Sequence, residues 1–81
     1  MNRYGKILAL ICAYNEEKHI REVIEGAKKY VDKVLVVDDC SKDGTSEEVK
    51  KTDAIYIRHD KNKGKGGALR TGFSYFIENQ Y

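Results

Sequence analysis

The chain reads as an α/β domain of three strand–helix units around a parallel sheet, and three observations predict it. Apolar runs of strand length alternate three times with segments of helical periodicity. The first two runs, residues 6–12 and 33–38, are continuously apolar inside rather than alternating, the habit of strands buried on both faces of a parallel sheet. The polar clusters all follow the strands, where open α/β sheets bind their ligands.

Residues 6–12 form the first strand. Asn15 stands as an N-cap for the helix that follows, with Glu16 and Glu17 in its first turn, where acidic groups suit the helix dipole. Ile20, Val23, Ile24, Ala27 and Val31 then recur at helical spacing, with Lys28 and Lys29 near the end. Residues 33–38 are the second strand. Residues 39–44 are polar and turn-forming, and a short helix is expected from about residue 45 to 51. Residues 54–58 make a third strand, shorter and nearer an edge. After a loop at 59–63, a last helix starts at Gly64 or Gly66 with Leu69, Phe73, Phe76 and Ile77 on one face.

Right-handed crossovers and a strand order of 3-2-1 put the first two helices on one face of the sheet. The last helix then crosses the other face toward a fourth strand beside the first. None follows before Tyr81, where that helix is expected to end, so the first strand is left with an unpaired apolar edge. This pattern predicts half of a larger doubly wound domain.

Composition narrows the function classes. The 81 residues suffice for one domain, with 41% hydrophobic and 35% charged residues, a soluble globular balance. The longest apolar run, residues 7–14, falls far short of the ~20 residues that cross a bilayer, and the opening residues lack the basic, apolar and small-residue pattern of a secretory leader, so secretion is not expected. A net charge of +2 is too mild to imply nucleic acid. Cys12 and Cys40 form neither a disulfide framework nor a zinc pattern and read as two inert thiols in a reducing cytoplasm. No proline marks a linker.

Three loops carry the chemistry. Asp38 and Asp39 end a strand that is otherwise Val and Leu after its first lysine, where a carboxylate can accept hydrogen bonds from a ribose or a base N–H. Asp38 reads equally as a ligand contact or as a cap of the turn, and Asp39 reads as the ligand contact. As neighbours on a strand end they point to opposite faces, which argues against joint metal chelation. Asp43, Gly44 and Thr45 read as structural: a turn, a glycine of free φ and a helix start. Gly64, Lys65, Gly66 and Gly67 open a helix, and bare N–H groups at a helix N-terminus favour an anion. Lys63, Lys65 and Arg70 add charge that can pair with a diphosphate. The spacing is neither a Walker sequence nor a dinucleotide fingerprint, and a glycine-rich turn with solvated lysines is the plainer alternative. Tyr14 can offer its face to a base, and Glu16 can bind a polar ligand edge. His19 and His59 read as isolated surface or capping histidines.

Together, Ala13, Tyr14, Asn15, Glu16 and Glu17, then residues 37–45 with Asp38, Asp39, Ser41, Asp43, Gly44 and Thr45, then residues 62–72 with Asn62, Gly64, Lys65, Gly66, Gly67, Arg70 and Gly72, resemble the nucleotide-sugar half of family 2 inverting glycosyltransferases. Within that family the likeness is to polyprenyl- and dolichol-phosphate sugar transferases. The resemblance covers nearly all of the chain and implies a Rossmann-like half of a GT-A domain. It implies that Ala13, Tyr14 and Glu16 line a base pocket and that Asp39 holds the base edge or the ribose. Lys65 and the glycines 64–67 would lie near the ribose and diphosphate. Cys40 stands where many members have glycine, a small replacement that should leave the turn intact.

The family's Asp-x-Asp metal motif follows the next strand, so residues 1–81 are expected to be one nucleotide-sugar-binding segment that ends before the metal motif and the catalytic base. No metal is expected in this chain, and Mg or Mn is expected in a full-length relative. The implied partner is a UDP- or GDP-sugar, with self-association through the first-strand edge. Membrane contact is expected only through a lipid-phosphate acceptor in a longer form, which can be membrane-peripheral. The expected function is donor recognition in a glycosyltransferase, with no transferase activity in this chain alone. The alternative is a non-catalytic binding or self-assembly module. A receiver domain is disfavoured, because its acidic pair should follow the first strand and its phosphoacceptor the third.

Overall fold

Val34, Leu35, Val36 and Val37 are apolar without interruption and β-branched at three of four positions, and they form the centre of the sheet. The structure is a computed structural model that describes residues 7–79. In chain order the elements are β1 (Leu8–Ala13), α1 (Ile20–Lys28), β2 (Lys33–Asp38), α2 (Thr45–Lys50), β3 (Ile55–Arg58) and α3 (Gly64–Glu78). Lys6, expected at the start of the first strand, lies outside the described residues, as does Tyr81. The three strands are parallel in the order β1-β2-β3, with Ala13 opposite Asp38 and Asp38 opposite Arg58. The α/β class, the three strand–helix units and the strand order all match the sequence expectation.

Alternation along β2 divides the core. Val34 and Val36 pack with Ala13, Ile20, Ile24 and Val49, so α1 and α2 share one face. Leu35 and Val37 pack with Ala68, with Tyr75 and Phe76 against them, so α3 covers the other. Burying each of these valine, leucine and isoleucine side chains stabilises the fold by roughly 1.5–3 kcal/mol before the entropy of ordering is subtracted.

Three local expectations are corrected. The helix α1 begins at Ile20, and its N-cap is His19 rather than Asn15. Asn15 instead takes a left-handed backbone, with φ of 52°, which short polar side chains tolerate. The strand β1 is only half-buried along most of its length, because its outer edge carries no neighbouring strand among the described residues. On α3 the buried positions are Ala68 and Gly72, while Phe73 and Ile77 are exposed. The reason is close approach: a Cβ on Gly72 would lie 2.6 Å from both δ carbons of Leu10, so the smallest residues face the sheet. Among the described residues no helix is long and apolar enough to cross a membrane.

Candidate functional site

Each strand ends in a polar loop at the same edge of the sheet, and side chains tie the three loops together. The loop after β1 is sewn to the loop after β2 by four hydrogen bonds. The N–H groups of Asn15 and Glu16 donate to Ser41 Oγ and Thr45 Oγ1, each at 2.8 Å. Glu17 donates to Asp43 Oδ2 at 3.3 Å, and Lys42 N–H donates back to Asn15 Oδ1 at 2.9 Å. Ser41, Asp43 and Thr45 thus satisfy backbone donors that no ladder reaches. Thr45 N–H donates to Asp43 Oδ1 at 2.9 Å, which makes the turn at 43–45 structural, as expected. Burial works against the Asp43 charge, yet the bonds from Thr45 and Glu17 hold its carboxyl below the usual range. Gly44, at φ of −84°, does not use a glycine's conformational freedom. The non-glycine residue in the left-handed region of this loop is Cys40, with φ of 65°.

The side chains of the paired aspartates diverge, and their carboxylates share no partner. Asp38 is fully buried. Its Oδ1 accepts Ser41 N–H at 2.9 Å, and its Oδ2 accepts the Tyr56 hydroxyl at 2.6 Å and an Arg58 N–H at 3.3 Å. Asp39 turns toward the third loop. Its Oδ1 accepts Lys63 N–H at 2.8 Å and contacts His59 Nδ1 at 2.9 Å, and its Oδ2 accepts Gly64 N–H at 2.8 Å. The Lys63 N–H, then His59 and Gly64, hold the Asp39 carboxyl below the usual carboxylate range in spite of burial. Asp39 therefore acts as a cap for α3 supplied by a neighbouring strand, a carboxylate at the positive end of the helix.

Gly64 makes this approach possible. Its φ of 72° is a conformation that costs other residues roughly 1–2 kcal/mol. Gly67 serves closeness instead: a Cβ there would lie 2.5 Å from Lys63 Cβ. The N–H groups of Lys65 and Gly66 fall in the first turn of α3, where no helical carbonyl lies four residues back to receive them.

These pieces border a cleft of about 240 Å³ lined by Cys12, Ala13, Tyr14, Glu16, Asp39, Gly64, Lys65 and Ala68. Six of the ten residues expected to meet a nucleotide are on that wall: Ala13, Tyr14, Glu16, Asp39, Gly64 and Lys65. Asp38 lies behind it, while Gly66 and Arg70 are exposed and Gly67 is half-buried, all three outside the lining. Cys12 is free, as is Cys40. Burial pushes the Cys12 thiol up, partly offset by Lys65 and reinforced by Asp39, which disfavours the reactive thiolate. Among the described residues no group of three or more His, Cys, Asp or Glu side chains could hold a metal ion. Asp38 and Asp39, facing different partners, do not fit a chelating pair.

His59 overturns its sequence reading. It is 5% exposed, bonded to Asp39 on one side and to Thr71 Oγ1 at 2.7 Å on the other. One residue past β3, its backbone N–H donates to the Asp38 carbonyl at 2.9 Å, which carries the ladder onward and turns the ring inward. His19, by contrast, is exposed, with Glu22 at 3.9 Å. Tyr56 also escaped attention, its role visible only once β2 and β3 are in register.

The glycosyl transferase family 2 model matches residues 9–78, nearly the whole of what the structure describes. The chain belongs to glycosyl transferase family 2. Among curated relatives, this family 2 chain is 48% identical over 68 residues to an uncharacterized protein of Methanocaldococcus jannaschii, covering 83% of the chain and 28% of that protein. It is 38% identical over 90 residues to a UDP-N-acetylglucosamine–dolichyl-phosphate N-acetylglucosaminyltransferase of Methanococcus voltae, covering 89% of the chain and 36% of that enzyme. It is 35% identical over 85 residues to a dolichyl-phosphate beta-glucosyltransferase of Homo sapiens, covering 83% and 26%. The likeness to polyprenyl-phosphate sugar transferases thus stands on sequence identity as well as motifs. The chain spans between 26% and 36% of the length of these relatives. No solved structure matches it.

Proposed function

We propose that this chain is the donor-recognition part of a glycosyltransferase that moves a sugar from a nucleoside diphosphate to a polyprenyl phosphate. One observation carries the reading: three loops from three strand ends are hydrogen-bonded into a single wall around the cleft that holds Tyr14, Glu16, Asp39 and Lys65. The names of the relatives in Methanococcus voltae and Homo sapiens support the lipid-phosphate acceptor, and the first supports a UDP-sugar.

In this reading Ala13, Tyr14 and Glu16 border the base, and Asp39 accepts a hydrogen bond from the base or ribose. Lys65 and the unpaired N–H groups of residues 65 and 66 face the diphosphate, where a cation and a helix N-terminus both favour an anion. Gly66, Gly67 and Arg70 shape and charge the rim. Asp38 holds the second loop and makes no ligand contact. The chain's carboxylates bind and orient the donor without holding a metal, so the divalent cation expected in longer relatives would be held by other residues. Activation of the acceptor and departure of the diphosphate likewise need groups beyond this set, and we infer that residues 1–81 alone bind the donor without turning it over. Equilibrium titration of the chain with UDP and GDP tests the reading. A Kd in the range of about 1 mM or tighter for either, weakened several-fold in K65A, is expected, and no saturation by either nucleotide overturns it.

A second reading concerns the bare chain. The outer edge of β1 is unpaired among the described residues, and beside it Ile11, Ile20 and Val23 line an open cavity of about 250 Å³, with Cys12 and Glu16 also on its wall. With Ile7, just before β1, also exposed, this edge suits pairing with a second copy.

A further inference from the structure

We propose that His59 is a positioning residue for donor binding: backed by Thr71, it holds Asp39 so that one acceptor position of that carboxylate is left for the donor's base. The inference rests on the nucleotide reading above and names the group that sets its geometry.

An ionised carboxylate accepts only, at about four positions, two per oxygen. Oδ1 of Asp39 is filled by Lys63 N–H at 2.8 Å and His59 Nδ1 at 2.9 Å. Oδ2 takes Gly64 N–H at 2.8 Å and has one position left. Asp39 is 6% exposed, yet it borders the cleft, so the remaining position is the one through which it can meet a ligand.

The same geometry assigns the imidazole tautomer. Facing an ionised carboxylate, Nδ1 must carry the proton. In the neutral ring Nε2 is then bare, and the Thr71 hydroxyl, 2.7 Å away, donates to it. Thr71 lies on α3 and Asp39 just past β2, so the relay Thr71–His59–Asp39 fixes the carboxylate plane from the helix side. Without the Thr71 hydroxyl the ring keeps its proton on Nδ1 but loses the contact at Nε2 that fixes its orientation toward Asp39. A base that offers one N–H, as uracil does at its imide, suits a carboxylate with one open position. The adjacent N1–H and N2–H groups of guanine reach for both oxygens and find Oδ1 filled.

Nitrogen-15 spectra of the imidazoles, recorded near neutral pH on the chain, read the tautomer directly, and titrations with UDP and GDP read the consequence. The expected result is a His59 ring protonated at Nδ1, with UDP bound more tightly than GDP. In H59L the affinity for UDP falls about tenfold, the worth of a charge-assisted hydrogen bond. H59N places an amide N–H near the former Nδ1 and restores most of it, and T71V, which frees the ring at Nε2, loses several-fold. Should H59L fail to fold, T71V and H59N decide. A ring bare at Nδ1 in the wild type, UDP affinity unchanged in folded H59L or in T71V, or a preference for GDP overturns the inference and leaves the nucleotide site standing. Failure of the wild type to bind either nucleotide, whatever the tautomer, overturns the site and the inference with it.

Discussion

The Asp39 carboxylate accepts the backbone N–H of Gly64 at 2.8 Å, joining the end of β2 to the start of α3 across 25 residues of chain. The contact needs both a carboxylate at that strand end and a glycine that can take φ of 72°. It makes the donor cleft and the packing of α3 a single feature, so a change at either residue should be felt in both. In D39N an amide replaces the carboxylate, and only its oxygen can still accept from the N–H groups of Lys63 and Gly64. D39N is therefore expected to lower the thermal midpoint and weaken UDP binding together. A variant that lost affinity with its midpoint intact would separate the two roles.

The low Asp39 pKa has a sign that can be checked in acid. Its folded value lies below the ordinary 3.8, so as pH falls the unfolded chain takes up the proton first. The stabilisation is whole above the ordinary value and is lost as pH drops through the lowered folded value. Urea midpoints measured between about pH 5 and pH 2 should fall more steeply for the wild type than for D39N. Parallel curves would show that Asp39 titrates alike in both states.

Three glycines of α3 should respond differently to alanine. Gly64→Ala meets no atom within 4 Å, so its cost is the left-handed backbone alone, about 1–2 kcal/mol. Gly72→Ala drives a methyl into Leu10 and is expected to cost about 1–3 kcal/mol. Gly66→Ala enters open space at a position without positive φ and should stabilise by up to about 1 kcal/mol. Chemical denaturation of the three variants ranks them, and a stabilising G64A would remove the case for strain at that turn.

The open edge of β1 makes a claim about assembly. Light scattering of the purified chain should show dimers or larger species, with a charged substitution at Ile11 shifting the population toward monomer. A monomer that persists at high concentration would leave the edge without a role in self-association.

The elements were legible because their signals are local. The continuous Val and Leu run of residues 34–37 could only be a strand covered on both faces, and it is buried throughout. The first strand looked the same but is half-exposed, because burial depends on what lies beside a strand and sequence reports only its composition. Phe73 and Ile77 share a helical face with Leu69 and Phe76 by spacing, yet both are exposed, because Gly72 takes the place against the sheet through its close approach to Leu10. At the cleft, residue types that advertise chemistry were readable, and six of them converge. His59 was not, since its partners Asp39 and Thr71 lie 20 and 12 residues away and nothing local marks it. Asn15 kept its loop address, but its cap partner is Lys42 in another loop, beyond the reach of local pattern.

The central claim is that the three strand-end loops form one donor-nucleotide site, and mapping backbone amide shifts during a UDP titration tests it most directly. The account predicts that the shifts converge on Tyr14, Glu16, Asp39, Gly64, Lys65 and Gly66, with the far ends of the strands silent. Spectra that stay flat at about millimolar nucleotide, or shifts that gather along β1 and α1 instead, would contradict it.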